Sequence, residues 1–275
     1  MRARETAAWA LANTCAKSGK PHFPNPWPAP QHLWADPPWI LSGTSITAWF
    51  EVDAKAVAKV VSPAFKSLSG DKGVITRLRY YDIKFEPRDG TPEFKAKFSG
   101  SFKEGVVAFK GSIADVDGEF SAFMWTDDDT YIGWGREIFG WPLIRSQFTL
   151  KGKAWDASSK EPTSCRVQSS DFDLTLTMDD ESAAEQAIGK GPNWLTPRRV
   201  IFPAGDEPDR HDLNIVRPTI IDPGNFYIQK GEVIFDVKPK SIISGLNPLT
   251  TPVIHRHANF KICVGDNVET IQGIG

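Results

Sequence analysis

The feature that most constrains this chain is the density of strand signals between residues 45 and 135. SITAWFEV, GVITRLRYYDIKF, EFKAKFSGSF, GVVAFKGSI, EFSAFMW and TYIGWG follow one another with only Gly, Asp and Pro punctuation between them. Each alternates or runs apolar, the pattern of a strand buried on at least one face. SQFTLKGKAW, SCRVQSS, DFDLTLTM, GEVIFDV and ANFKICV continue the series downstream. Helical signals are few. Residues 53–66 open on Asp53 as an N-cap and meet Pro63 near their end, and residues 180–189 start acidic and close on Gly189. Many closely spaced strands with two or three helices predict a mainly antiparallel sandwich or barrel.

The N-terminal region is of a different kind. Residues 1–20 begin with basic residues as an export signal does, but Glu5, Asn13 and Thr14 interrupt the apolar run, so an amphipathic helix is expected instead. The proline-dense stretch PHFPNPWPAPQHLWADPPW then denies helix and predicts an extended strap, with Trp27, Trp34 and Trp39 as apolar plugs. Residues 1–37 are therefore expected to form a helix and arm, and residues 38–275 one domain.

Charge and chemistry exclude several classes. A net charge of −2 gives no electrostatic reason to bind nucleic acid or an anionic membrane. Cys15, Cys165 and Cys263 are too far apart, and odd in number, for a disulfide framework or a metal knuckle, which predicts a reducing, cytoplasmic setting. His255 and His257 share one face of a strand, but a third ligand is not apparent beside them, so a surface or interface pair is expected rather than a metal site. Asp127, Asp128 and Asp129 lack the spacing of a calcium loop and read as a solvated turn. No nucleophile elbow and no phosphate loop is present.

Two charged positions remain. In GREIFGWPLI, residues 135–144, Arg136 and Glu137 sit at the rim of an apolar sheet; alternation turns one of them inward, where it needs a partner, either an ion pair or a substrate. Glu104, read as a turn residue between Phe102 and Val106, is either a plain exposed turn residue or a carboxylate at an apolar rim, which would raise its pKa and suit it to proton transfer near neutrality.

GREIFGWP resembles the Gly-Arg-Glu motif of the acetoacetate decarboxylase superfamily. PPWILSG with ITAWFEVDAKAVAKVVSP, then GEFSAFMWTDDDTYIGWGRE, then GNFYIQKGEVIFDV are similar to other segments of that family in the same order, over roughly residues 38–240. The resemblance implies a mainly antiparallel, cone-like closed barrel with a few peripheral helices, β-keto acid or related oxo-acid chemistry, and a homo-oligomer. In that family a lysine directly after the motif proline forms an imine, and a neighbouring lysine depresses its pKa. Those positions are Leu143 and Ile144 here. The family glutamate falls on Glu104, its substrate-orienting arginine near Gly43, and its other pocket glutamate near Tyr81 or Asp82.

The resemblance thus implies a site of Glu104 with Arg136, Glu137, Trp141, Leu143, Ile144, Phe102 and Tyr81, needing no cofactor and no metal. Its expected partner is a largely apolar carbonyl compound handled by general acid–base chemistry. Two alternatives stand beside it: an imine on a relocated lysine, Lys84 or Lys103, and a small-molecule binder without catalysis.

Overall fold

Alternating strands build the frame. The computed structural model describes residues 37–179, 184–185, 194–200 and 210–272. In chain order the first strands are β1 (Trp39–Val52), β2 (Lys66–Ser67), β3 (Val74–Pro87), β4 (Gly100–Ile113), β5 (Val116–Thr126) and β6 (Leu143–Arg145). Next come β7 (Gln147–Lys151), β8 (Thr163–Gln168), β9 (Phe172–Met178), β10 (Ala184–Glu185), β11 (Trp194–Val200) and β12 (Arg210–Val216). The last are β13 (Thr219–Asp222), β14 (Asn225–Gln229), β15 (Gly231–Val237), β16 (Val253–Val264) and β17 (Val268–Ile271).

The larger sheet runs β10-β14-β16-β1-β3-β4-β5-β11-β12-β17, and a smaller one runs β15-β9-β8-β7. Most pairs are antiparallel; β5 pairs parallel with both β6 and β11. The large sheet curls into a half-barrel, and among the described residues no ladder joins its two end strands. The mainly β class with a few short helices agrees with the sequence reading. No described helix is long and apolar enough to cross a membrane.

Both faces of the central strands are covered, because side chains two apart share a face. On β3, Leu78 and Tyr80 join one core with Val107, Phe109, Leu174 and Leu176, between the two sheets. Tyr81, Ile83 and Phe85 join a second cluster with Phe102, Val106, Tyr131, Trp134, Trp141 and Leu143, on the concave side. The Tyr80 hydroxyl donates to the Leu174 carbonyl at 2.5 Å, tying the sheets together.

Several sequence expectations are corrected. EFKAKF, expected as a strand, is the helix Pro92–Phe98, started by Thr91 as N-cap with Pro92 in the first turn. TYIGWG is the helix Asp129–Trp134 running into a π-helical turn, Gly135–Phe139. The long helix expected over 53–66 shrinks to Ala54–Val57, although Asp53 does cap it through Lys55 and Ala56 N–H. Ala184 and Glu185 pair as strand with Ile228 and Tyr227, where helix was expected. Trp39 is no strap residue; it begins β1 and is buried. The N-terminal helix and the rest of the strap lie outside the described residues.

Candidate active site

A row of side chains crosses the concave face. Register pairs Thr126 with Glu104, Glu104 with Tyr81, Tyr81 with Ser45, Ser45 with His257, and His257 with Phe226. Two residues along, Arg79 pairs with Thr47, which pairs with His255. A further row sets Arg77 opposite Ala108, and Ala108 opposite Ser121. That third row depends on a bulge: β5 spends an extra residue between Ser121 and Phe123 opposite Val107 and Ala108. Because the side-chain period is two, the bulge turns Glu119 and Ser121 to the same face as Met124 and Thr126.

Glu104 lies inside β4 rather than at a turn, and is only 4% exposed. Burial pushes its pKa up to about 8, while a hydrogen bond with the Tyr131 hydroxyl and the Arg77 and Arg79 guanidinia pull the other way. At neutral pH this carboxyl holds its proton. Tyr131 is buried too, and its own pKa is raised by burial first and the Glu104 charge second. Phe102 stacks on the Tyr131 ring at 3.7 Å, fixing the phenol against the carboxyl.

The Asp triplet explains how Tyr131 gets there. Asp127 accepts from Lys103 N–H, Asp128 caps the helix by accepting from Tyr131 N–H at 2.6 Å, and Asp129 pairs with Arg145. What reads as a solvated turn is a helix start that delivers Tyr131 to Glu104.

Two chambers open on this face. The inner one, about 30 Å³, is lined by Glu104, Tyr131, Arg77, Ser121, Met124 and Trp141, among others. The outer one, about 100 Å³, is lined by Arg79, Ser45, His257 and Phe260 with an apolar rim of Pro218, Ile220 and Pro223. Tyr81, Trp194 and Ile262 belong to both and form the step between them.

The charged residues sort unequally. Arg77 forms a fully buried ion pair with Glu119. Arg79 donates from Nε to Thr47 Oγ1 at 2.6 Å and from a terminal nitrogen to the Tyr81 hydroxyl at 2.7 Å. His255 and His257 are no exposed pair: both are partly buried with Phe226 edge-on against them, and burial first, then Arg79, lowers the pKa of His257 to about 4. Among the described residues no His, Cys, Asp and Glu group has a metal-binding arrangement.

The expected site residues are placed as follows. Glu104, Tyr81 and Trp141 meet at the inner chamber, with Phe102 behind Tyr131. Leu143 is fully buried in the same apolar cluster, packed against Gly135, whereas Ile144 is 57% exposed. Arg136 is exposed on a helical turn, not on a strand as the alternation argument assumed; the Glu137 side chain, the other candidate for the inward charge, lies outside the described residues. Lys84 is exposed, and Lys103 pairs with Asp127 on the face opposite Glu104, so neither lysine stands beside it. At Gly43 no side chain fits: a Cβ there would lie 2.0 Å from the Asp82 carbonyl. The sequence reading missed Arg77, Arg79, Glu119 and Tyr131. The arginines carried a signal, since Arg77, Arg79 and Tyr81 alternate on one face of an otherwise apolar strand.

Comparison with known proteins is consistent with this geometry. The family model described as acetoacetate decarboxylase (ADC) matches residues 20–180, more than half of the chain. The chain belongs to the acetoacetate decarboxylase family. No curated protein matches the sequence significantly. Among solved structures, the chain is similar to the enduracididine biosynthesis enzyme MppR bound to the condensation product of pyruvate and imidazole 4-carboxaldehyde. The TM-score is 0.68 at 13% identity, over 88% of this chain and 92% of that one. An acetoacetate decarboxylase-like enzyme from Sphingomonas wittichii RW1 aligns with TM-score 0.67 at 13% identity, over 89% and 97%. Acetoacetate decarboxylase from Legionella pneumophila aligns at 0.62 and 13%, over 89% and 92%. At these identities the likeness speaks for the fold.

Proposed function

We propose that this member of the family is an enzyme that moves protons on a small, largely apolar oxo or β-dicarbonyl compound, using Glu104 and no imine. The observation that carries the reading is a buried carboxyl with a pKa near 8, hydrogen-bonded to Tyr131 at a cavity wall that offers no lysine among the described residues. Leu143, the residue after the motif proline, carries no amine; it packs in the apolar cluster against Gly135 and lines neither chamber. MppR, crystallised with pyruvate and with a pyruvate condensation product, supports small carbonyl chemistry on this fold.

The chemistry follows from the donors. The ionised fraction of Glu104 takes a proton from the carbon next to the carbonyl, and the C–H electron pair becomes the double bond of an enolate. The Tyr131 hydroxyl, and the Tyr81 hydroxyl polarised by Arg79, donate to the enolate oxygen as its charge develops. Returning the proton to another carbon isomerises the compound; passing it to a leaving group completes an elimination.

The test is trapping. Protein incubated with a panel of oxo acids and β-diketones in the presence of borohydride keeps its intact mass, and Glu104→Gln lowers turnover by about 10²–10⁴-fold. A mass gain mapped to a lysine overturns the imine-free reading. Binding without turnover in the wild type makes the protein a binder.

A further inference from the structure

Two arginines of β3, Arg77 fully buried and Arg79 half-buried, are treated differently by the rest of the molecule. Arg77 has Glu119 as counter-ion. Arg79 makes no ion pair among the described residues: it donates to two neutral hydroxyls, those of Thr47 and Tyr81, lies over the Tyr81 ring, and feels the Glu119 and Glu104 carboxylates without touching them. A half-buried guanidinium with no carboxylate in contact keeps donors that an anion entering the chamber can use. Thr47 and Tyr81 take two of its five N–H groups and fix its plane, which leaves the remaining donors for a planar, two-oxygen acceptor. Arg79 is also a wall of the outer chamber, whose other walls are mainly apolar: Trp194, Pro218, Ile220, Pro223, Phe260 and Ile262.

We propose that the outer chamber is a carboxylate-binding subsite anchored by Arg79, and that the substrate is an amphiphilic mono-acid whose carboxylate is remote from its reacting carbonyl. The proposal rests on the reading of Glu104 as the proton-transfer group in the inner chamber. The remoteness comes from register. Arg79 is opposite Val106, not Glu104, so it stands one strand across and two residues along from the acid. That is about 5 Å by about 7 Å at the backbone. Tyr81, shared by both chambers, lies between them. A ligand spanning the step presents its anion to Arg79 and its carbonyl to Glu104 and Tyr131, with several bonds between.

The neighbours limit the charge that fits. His257, neutral at neutral pH, offers a hydrogen bond without adding a second cation. Asp222, exposed at the rim with its carboxylate accepting from Gly224 N–H, disfavours a second negative charge on the ligand. One cation, one neutral imidazole and an apolar wall select a mono-acid with a hydrophobic body.

Calorimetric titration of the full-length protein with levulinate and with benzoylpropionate, each beside its methyl ester, tests this. The acid binds about tenfold or more tighter than its ester, the worth of a charge-assisted contact. Arg79→Gln abolishes that preference, and Arg79→Lys keeps part of it; Thr47→Val, which frees the guanidinium, weakens it if Arg79→Gln does not fold. Glu104→Gln leaves the acid preference intact, so a failure of the proton-transfer reading leaves this result standing. Equal binding of acid and ester, no binding of either acid, or an acid preference that survives Arg79→Gln overturns the subsite.

Discussion

At the scale of single residues, Glu104 is the group on which the proposed chemistry rests, and its burial sets a pH response. The folded protein holds the Glu104 proton up to about pH 8, whereas an unfolded glutamate releases it near its ordinary value of 4.5. The folded state therefore binds the extra proton between those values, and stability falls as pH rises through that window. The contribution is fully present below pH 4.5 and gone above about pH 8, on the order of a few kcal/mol. Glu104→Gln removes this dependence. Its melting temperature relative to wild type is expected to rise steadily from pH 5 to pH 9; a flat difference would mean that Glu104 is not buried with its proton. That Glu104 is a carboxylate among apolar neighbours with a raised pKa was legible in the sequence. Its position in mid-strand was not, because the Lys103–Gly105 context reads equally well as a turn. Arg79 was hidden for a different reason: alternation says which residues share a face, but not which face encloses a cavity when both are covered.

At the scale of elements, the segment 126–143 was the hardest to read. Tyr131, Trp134 and Phe139 have strand preferences, and they became helical because Asp128 caps them and the aromatic rings pack inward on Trp39 and Trp141. The glycine of the motif proves steric. Gly135 has φ −64, open to any residue, yet a Cβ there would lie 2.3 Å from Leu143 Cδ1. Gly135→Ala gains about 0.8–1 kcal/mol of helix propensity but loses about 1–3 kcal/mol to overpacking, so a net loss is expected. In a Leu143→Ala background the clash is gone and the same Gly135→Ala change is expected to stabilise. Denaturant unfolding of the four variants measures this reversal of sign as a coupling energy. If Gly135→Ala costs the same in both backgrounds, Leu143 does not pack on that turn. The motif's spacing, visible in the sequence, thus fixes the fit between a π-helical turn and the strand after it.

At the scale of the whole molecule, the large sheet separates two tasks by its two faces. The face toward the small sheet carries the packing core; the concave face carries the chambers, and the same strands serve both. Class and approximate strand positions were legible because periodicity is local. The curl, the parallel β5–β6 and β5–β11 pairs and the bulge that turns Glu119 inward were not, since they are set by how strands pair and not by the pattern within one strand. Adjacent tyrosines put the division to a test. Tyr80 donates its hydroxyl across to Leu174 in the small sheet, and Tyr81 accepts from Arg79 at the step between chambers. Tyr80→Phe is expected to cost about 1 kcal/mol of stability, the net worth of one hydrogen bond, with ligand affinity and turnover unchanged. Tyr81→Phe is expected to weaken oxo-acid binding and turnover together, because Arg79 loses the contact that orients it and the inner chamber loses a donor. Unfolding midpoints and titration of both variants decide the matter: if Tyr80→Phe disturbs binding as much as Tyr81→Phe does, the two faces are coupled and the site is not confined to the concave side.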